Sequence, residues 1–162
     1  MLKTKHEMEA MDISYVVKPM KDGHLMAVSS LMGTSRLMAE DSEDSDEVLE
    51  SLYADDETTG LVVESTINNA PRVVGYVFFS WFPDGIVMQD LVIHRKRQRF
   101  GIGTALLHRV KGITIQRRSE RLTVNVGEYN VAAQLFLKEN DFKCIGTEEY
   151  YDNTFLRMEW EA

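Results

Sequence analysis

The spacing of apolar residues in the first half of the chain predicts one strand, two helices and three further strands. Residues 12–18 alternate between apolar and polar side chains and stop at Pro19, as a strand does. Residues 20–32 and 44–54 carry apolar side chains at helical spacing. Apolar segments at 60–66, 73–82 and 86–93 are separated by turn-forming residues at 68–71 and 83–85. These three segments form a predicted meander of strands.

The second half of the chain predicts alternating helices and strands. Residues 101–118 have the pattern of a helix, and Leu122, Val124 and Val126 alternate as in a buried strand. A second helix begins with Asn130 at its cap position, and two strands follow at 142–150 and 154–160, joined near residues 152 and 153. This order of elements implies an α/β fold with a mixed sheet and helices on both faces.

Length and composition indicate a single domain, residues 1–162, with a frayed end at residues 1–11. The single cysteine, Cys144, excludes an internal disulfide, and no residues have the spacing of metal ligands. The first eleven residues lack the apolar run of a signal peptide, and no segment is long enough to span a membrane. We therefore expect a soluble cytoplasmic protein without a metal.

Charge is distributed unevenly along the chain. The formal net charge of −8 argues against nucleic acid as a partner, because phosphate binding requires a basic face. Residues 40–57 contain ten carboxylates and no lysine or arginine, whereas residues 94–121 contain nine of the eighteen basic residues. The acidic run is either a solvated surface or an electrostatic funnel for a cationic acceptor. The basic region is expected to attract phosphate.

A glycine turn between an apolar strand and a helix is the most informative chemical feature. In Gln98-Arg99-Phe100-Gly101-Ile102-Gly103-Thr104, two glycines at alternate positions let the backbone turn tightly and approach a ligand. The first turn of the helix then offers unpaired N–H groups and a positive dipole end to a phosphate. A dinucleotide-binding turn requires a third glycine where Leu106 stands, and the lysine and hydroxyl residue of a P-loop are missing.

The pattern of glutamine, two residues, glycine, one residue and glycine resembles the coenzyme A motif of the GCN5-related N-acetyltransferase (GNAT) family. The order of elements resembles that fold over nearly the whole chain. Residues near the carboxyl end, Asn130, Ala133, Phe142, Tyr150, Tyr151 and Met158, are similar to the branch that acetylates protein amino termini. The resemblance implies a mostly antiparallel central sheet and acetyl transfer from acetyl-CoA to an amine in a ternary complex.

The resemblance also implies a cofactor site. Residues Leu91, Val92 and Ile93 should separate from the strand at 122–126, so that their backbone pairs with pantetheine and the Val92 amide polarises the thioester carbonyl. Backbone amides should bind the pyrophosphate, and Asn130 should either bond the pantetheine arm or act as an ordinary helix cap. The predicted cofactor-binding residues are Leu91, Val92, Ile93, Gln98, Arg99, Phe100, Gly101, Ile102, Gly103, Thr104 and Asn130.

The chain departs from the family at its expected catalytic positions. Where many members of this branch carry a glutamate and a tyrosine, it carries Asn125 and Leu137. The replacement bases that we predict are Glu128 and Asp90, with a water held by backbone carbonyls as the alternative. Tyr151 is the predicted hydroxyl donor, with Tyr129 and Tyr150 as alternatives, and an ordinary structural role is the competing interpretation of these residues.

Acceptor and partners are predicted from the same resemblance. Tyr150 and Tyr151 are expected to line a peptide groove, and since successive strand residues point to opposite faces, at most one of them should face the acceptor. A protein amino terminus is the favoured acceptor. The alternatives are a small amine, such as a polyamine or aminoglycoside, drawn by the acidic run, and a coenzyme A binding module without catalysis. An edge of the aromatic strand around Trp81 suggests a possible homodimer.

Overall fold

The computed structural model describes residues 14–34 and 45–162. The frayed end predicted at residues 1–11, the start of the first predicted strand and the beginning of the acidic run lie outside these residues. The described helices are α1 (Leu25–Thr34), α2 (Ser45–Ala54), α3 (Ile102–Gln116) and α4 (Val131–Glu139). The described strands are β1 (Tyr15–Pro19), β2 (Thr58–Ile67), β3 (Ala70–Phe82), β4 (Gly85–Ile93), β5 (Arg121–Gly127), β6 (Lys143–Tyr150) and β7 (Asn153–Glu161).

The strands form one sheet in the order β1-β2-β3-β4-β5-β7-β6. Every neighbouring pair is antiparallel except β4 and β5, which are parallel. The helix α3 makes the crossover that a parallel pair needs. The predicted mixed, mostly antiparallel sheet is therefore confirmed.

Helices cover the two faces of this sheet unequally. On one face, α3 and α4 pack on a core that draws residues from β2, β3, β4, β5 and β7. On the other face, α1 and α2 pack on a smaller core built on β2, β3 and β4. We call the uncovered part of the second face, on β5, β7 and β6, the open face; among its residues are Asn125, Arg157 and Glu148. Every residue of β6 is exposed.

Two predicted boundaries were wrong for reasons of local chemistry. Residues 20–32 were predicted as one helix, but the chain first makes a short 3-10 turn at Asp22–His24 and α1 begins after it. The first meander turn is also tighter than predicted, because Asn68 and Asn69 have φ values of 50° and 62°. Asparagine tolerates this left-handed conformation, so a two-residue hairpin forms and β3 begins at Ala70.

A charged cluster ties the start of α1 to the sheet. His24 Nε2 lies 2.8 Å from Glu64 Oε1, and Lys18 Nζ donates to Glu64 Oε2 at 3.1 Å. The Lys21 N–H donates to His24 Nδ1, so the proton of the imidazole is on Nε2 and points at the carboxylate. The hydrogen bond from His24 lowers the pKa of Glu64 below its usual value, and the hydrogen bond from Lys18 has a smaller effect in the same direction. The cluster thus links the residue before α1 to strand β2.

Candidate active site

The parallel strands β4 and β5 pair at one end and separate at the other. Their recorded ladder consists of Ile86 opposite Leu122 and Val87 opposite Thr123. Beyond it, the register of β4 against β3 shifts, so that Gln89 forms a bulge in β4. The rest of β4, up to Ile93, therefore borders a gap in the centre of the sheet, as the sequence predicts for residues 91–93.

The backbone of Val92 faces β3 and not the gap. The His94 N–H donates to the Val74 carbonyl at 2.7 Å, and residues of an antiparallel pair alternate between hydrogen-bonded and non-bonded positions. Two residues earlier, Val92 therefore bonds to its partner Tyr76. In agreement, a Cβ placed on Gly75 of β3 would lie 3.1 Å from the Val92 carbonyl oxygen. The predicted use of the Val92 amide on the thioester is thus wrong.

Leu91 and Ile93 turn their backbone groups into the gap. They alternate with Val92, so their N–H and C=O groups point toward the edge that β5 has left. The Ile93 carbonyl on this side accepts a hydrogen bond from Gln98 Nε2 at 3.3 Å. Gln98 therefore braces the turn after β4, and the free edge of β4 beside the gap is provided by the backbone of Leu91 and Ile93.

The glycine turn leaves the start of α3 open. Gly101 is the N-cap, with a φ of 79°, and no atom lies within 4 Å of a Cβ placed on it. The first hydrogen bond of the helix ladder runs from the Ala105 N–H to the Gly101 carbonyl, at 2.9 Å. The amides of residues 102–104 precede this ladder and project from a positive helix end, as binding of a phosphate requires. Arg99, two residues before the cap, is exposed.

The start of α3, the end of β4 and helix α4 meet at Gly103. A Cβ placed on this residue would lie 3.3 Å from Phe136 Cζ and 3.6 Å from Ile93 Cγ1. Ile102 is buried and Phe100 packs against the same core, so their side chains are structural. The predicted cofactor-binding segments are therefore adjacent in space, and their backbone forms the surface that would hold a ligand.

Asn130 caps α4. Its side chain accepts a hydrogen bond from the Ala133 N–H at 3.2 Å, which is the cap role predicted as one of its two alternatives. The turn before it is fixed by Gln134 Nε2, which donates to the carbonyls of Gly127 and Glu128. A contact of Asn130 with pantetheine stays a prediction.

The two predicted bases lie in different surroundings. Asp90 is on the α1 and α2 face of β4, is 7 % exposed, and accepts a hydrogen bond from the Tyr76 hydroxyl at 2.6 Å. Glu128 follows the end of β5, and its side chain is exposed. Asp90 thus lies on the separated part of β4, and Glu128 lies in the turn between β5 and α4. The hydroxyl of Tyr76 was missed from the sequence, where this residue reads as part of an apolar strand.

Tyr150 and Tyr151 form an exposed aromatic pair at the β6–β7 turn. Tyr151 and Asp152 occupy the turn with φ values of 46° and 62°, so Tyr151 is not a strand residue. The two rings meet edge to face with centroids 4.5 Å apart. The prediction that they point to opposite sides was therefore wrong, because it assumed that β6 continues through Tyr151. Both rings are available to one ligand.

A family model described as the acetyltransferase (GNAT) family matches residues 25–142, which is more than two thirds of the chain. The chain belongs to the GNAT family. The match begins with α1 and includes the gap, the glycine turn and α4. The resemblance drawn from the sequence is thus confirmed at the level of the family. Comparison with curated protein sequences finds no significant match.

Solved structures of GNAT enzymes share the fold. The ribosomal-protein-S18-alanine N-acetyltransferase from Escherichia coli is 15% identical, with a TM-score of 0.74 over 91% of this chain and 94% of that one. A spermidine N-acetyltransferase from Vibrio cholerae, in complex with coenzyme A and spermine, is 19% identical, with a TM-score of 0.72 over 91% and 95%. An aminoglycoside 6′-N-acetyltransferase complexed with coenzyme A is 13% identical, with a TM-score of 0.71 over 90% and 96%. The same fold therefore occurs in an enzyme named for a protein acceptor and in enzymes named for small-molecule acceptors.

Asn125 holds a carboxylate that was missed from the sequence. Its Nδ2 donates to Glu148 Oε2 at 3.1 Å across strand β7. Glu148 is exposed on the open face of β6. The sequence around either residue does not predict this contact, because the contact depends on β7 lying between β5 and β6.

A cavity of about 520 Å³ lies between α1 and α2 of this GNAT domain. Its lining combines apolar side chains with carboxylates and comprises Leu25, Met26, Ser29, Asp46, Leu49, Glu50, Tyr53 and Ala54. The Ser29 hydroxyl donates to Asp46. The Tyr53 hydroxyl donates to Asp22 at 2.5 Å, and this hydrogen bond raises the pKa of Tyr53. The described part of the acidic run thus contributes two carboxylates to one wall.

Two negative findings apply to the described residues. Within 14–34 and 45–162, no group of three or more His, Cys, Asp and Glu side chains could hold a metal ion. None of the helices in these ranges has the length and apolar character needed to cross a membrane. The cytoplasmic location and the possible homodimer stay predictions.

Proposed function

We propose that this GNAT enzyme transfers the acetyl group of acetyl-CoA to the amino terminus of a protein or peptide. The observation that carries the proposal is the gap between β4 and β5, which opens beside the free amides at the start of α3. A pyrophosphate fits those amides because they are unpaired within the helix and lie at its positive end. The gap-facing backbone of Leu91 and Ile93 suits an extended pantetheine arm.

The same backbone fits the chemistry of a thioester. When bound, acetyl-CoA supplies an activated acetyl group. A backbone N–H of Leu91 or Ile93, fixed by β3 behind it, can stabilise negative charge on the carbonyl oxygen. A leaving thiolate needs no dedicated acid, since a thiol with the reference pKa of about 8.5 is a tolerable leaving group near neutral pH. The loss of a tyrosine at Leu137, which is fully buried, is therefore compatible with turnover.

The cost of deprotonation favours an amino terminus as acceptor. An α-amino group with a pKa near 8 costs about 1.4 kcal/mol to deprotonate at pH 7, whereas a lysine near 10.4 costs about 4.6 kcal/mol. The carboxylate on the separated part of β4, Asp90, is buried and already accepts a hydrogen bond from Tyr76. Because this carboxylate already has a hydrogen-bond donor, the site favours an acceptor amine with a low pKa, such as an α-amino group.

The shape of the acceptor side supports a polypeptide. The open face is uncovered along the whole of β6, and the exposed rings of Tyr150 and Tyr151 stand at its end. Exposed aromatic side chains supply contact area at a low cost in conformational entropy. A peptide can extend along this face while its first residue enters the gap. The name of the Escherichia coli structural neighbour, an alanine N-acetyltransferase, agrees with this acceptor class.

A small polycation is the second candidate acceptor. The cavity between α1 and α2 is lined by Asp46 and Glu50 together with apolar side chains, and clefts lined by one sign of charge concentrate the opposite sign. The Vibrio cholerae neighbour is named as a spermidine N-acetyltransferase. Binding of this type weakens steeply with salt, since exposed charges are screened beyond about 10 Å at 0.1 M ionic strength.

Thiol release from acetyl-CoA will distinguish these acceptors. The panel contains peptides with a free amino terminus, the same peptides blocked at the terminus but bearing lysine, and spermidine. We expect turnover with the free-terminus peptides, and an acceptor KM that changes little between 50 and 300 mM salt. Turnover with spermidine alone, with a KM that rises steeply with salt, would move the function to small amines.

A further inference from the structure

The open face holds an exposed carboxylate that has no role so far, that of Glu148 on the edge strand β6. Leu122, Val124 and Val126 of β5 point into the core under α3 and α4, so Asn125 points to the opposite, open face. There its amide donates to Glu148 Oε2 at 3.1 Å. The hydrogen bond draws the Glu148 carboxylate from β6 over β7 toward β5, and so toward the gap.

Asn125, which holds the Glu148 carboxylate, lies on the part of β5 that has separated from β4. The last β4–β5 pair is Val87 opposite Thr123, and Asn125 lies two residues further along β5. On the other side of the gap, Asp90 lies three residues beyond Val87, one of them the bulged Gln89. Asp90 and Asn125 therefore stand at about the same level on the two separated strands.

Glu159 of β7, opposite Thr123, is buried, with 8 % of its surface exposed. Three further carboxylates of the described chain, on β4, on β6 and in the turn before α4, differ in access. Asp90 is buried and is occupied by the Tyr76 hydroxyl. Glu128 lies beyond the end of β5, in the turn before α4. Glu148 is exposed to an incoming amine and is oriented by a side-chain amide. Only Glu148 among these three combines access with a fixed orientation.

We propose that Glu148 is the general base of the acetyl transfer and that Asn125 is its positioning residue. The inference rests on the proposed function. As the amine nitrogen bonds to the acetyl carbon and the carbon–sulfur bond breaks, the carboxylate of Glu148 takes the proton from the nitrogen, directly or through one water molecule. The thiolate of coenzyme A leaves with the electron pair of the broken bond and takes a proton from solvent.

The neighbouring residue Glu149 provides a matched control. Glu148 pairs with Phe155 and Glu149 with Thr154 on strand β7. Successive residues of a strand point to opposite faces, so Glu149 directs its carboxylate away from the open face. Both residues are exposed on the same edge strand. Replacing either by glutamine removes one charge at nearly the same place in the sequence.

The first experiment measures kcat, KM and their pH dependence with the best peptide of the panel. Glu148→Gln is expected to lower kcat about 100-fold, which is the low end for the loss of a general base, without changing KM for acetyl-CoA. The acidic limb of the kcat profile should disappear in this variant and persist in Glu149→Gln. Other charged groups around the pair are Arg157 and Glu159 of β7 on the same face, Glu128 after the end of β5 and Asp90 on β4. Asp90→Asn and Glu128→Gln are therefore measured in parallel.

The second experiment exchanges the two members of the pair. Asn125→Glu combined with Glu148→Gln places the carboxylate on β5 and the amide on β6. The kcat of this double variant is expected to be at least tenfold higher than that of Glu148→Gln alone. Asn125→Ala should reduce kcat less than Glu148→Gln does, since it removes only the orientation of the base. Acetyl-CoA binding by calorimetry and the thermal unfolding midpoint should be unchanged in the variants of Asn125, Glu148 and Glu149, which are not buried.

The assignment is overturned if wild type is active and Glu148→Gln matches Glu149→Gln in kcat and pH profile. It is also overturned if the acidic limb is lost in Asp90→Asn and kept in Glu148→Gln. A wild-type enzyme that binds acetyl-CoA but acetylates no amine of the panel contradicts the proposed function itself, and is a different result from the other two.

Discussion

Replacing Gly103 with valine is expected to weaken acetyl-CoA binding by about tenfold to a hundredfold. A Cβ at this position would stand 3.3 and 3.4 Å from two atoms of the Phe136 ring and 3.6 Å from Ile93. The two further methyl groups of valine have to push α3 away from α4 or from the end of β4. In the free variant a shift of α3 relieves this overpacking, whereas binding of the pyrophosphate requires the original position of its first amides. Restoring that position costs about 1–3 kcal/mol, and 1.4 kcal/mol corresponds to a factor of ten in affinity.

Substitutions at two other glycines distinguish the effect of crowding on binding from the effect of backbone strain. Gly101→Ala meets no atom within 4 Å but must adopt a φ of 79°, which costs about 1–2 kcal/mol for a residue with a Cβ. The free variant relaxes this strain by leaving the conformation that presents the amides of residues 102–104, and binding must restore it, so we expect affinity to fall close to tenfold. Gly112→Ala, in the same helix and also in open space, should leave binding unchanged and raise stability by about 1 kcal/mol.

Calorimetric titration with acetyl-CoA, accompanied by thermal unfolding, checks these values. A Gly103→Val protein with wild-type affinity and a lowered unfolding temperature would show that this glycine serves packing alone. The pyrophosphate would then have to be bound elsewhere than at the start of α3.

Local signals explain why most of the fold was predictable. Alternating apolar residues or apolar segments bounded by turns identified the strands of the described residues. Helical spacing identified the four described helices, because each packs one apolar side on the sheet. The glycine turn was also readable, since it requires particular residue types at fixed spacing. The errors at Asn68–Asn69 and at Tyr151 have one cause, which is that a non-glycine residue adopts a positive φ.

The site was less predictable because its geometry depends on pairing between distant strands. Which of Leu91, Val92 and Ile93 turns its amide into the gap is set by the hydrogen bond between His94 and Val74. A shift of one residue in that register reverses the answer. Glu148 was missed for a similar reason, since its contact with Asn125 exists only because β7 lies between their strands.

Replacing Lys111 with alanine is expected to lower the free energy of unfolding by about 3 kcal/mol. This lysine of α3 is 9 % exposed, and its ammonium donates to the Asn140 carbonyl at 2.5 Å. It also lies 5.7 Å and 5.1 Å from the ring centroids of Phe142 and Trp160. Alanine removes the packed stem and leaves a buried carbonyl without this donor, which costs about 1–3 kcal/mol for the carbonyl alone. Lys111→Met keeps the packed stem but also removes this donor, so it should cost about 1–3 kcal/mol and less than Lys111→Ala.

Burial lowers the pKa of Lys111, and Asp141 nearby only partly opposes the shift. The unfolded chain therefore binds the proton more tightly than the folded one between the lowered pKa and the ordinary value of 10.5. Within that window the stability of the wild type should rise with pH relative to Lys111→Met, because the buried charge is progressively lost. Urea unfolding from pH 7 to pH 10 measures this difference, with Lys138→Met, at an exposed position of α4, as the control. Parallel pH curves for wild type and Lys111→Met would mean that the ammonium is solvated in the native state and that α3 is held to β7 by its apolar contacts alone.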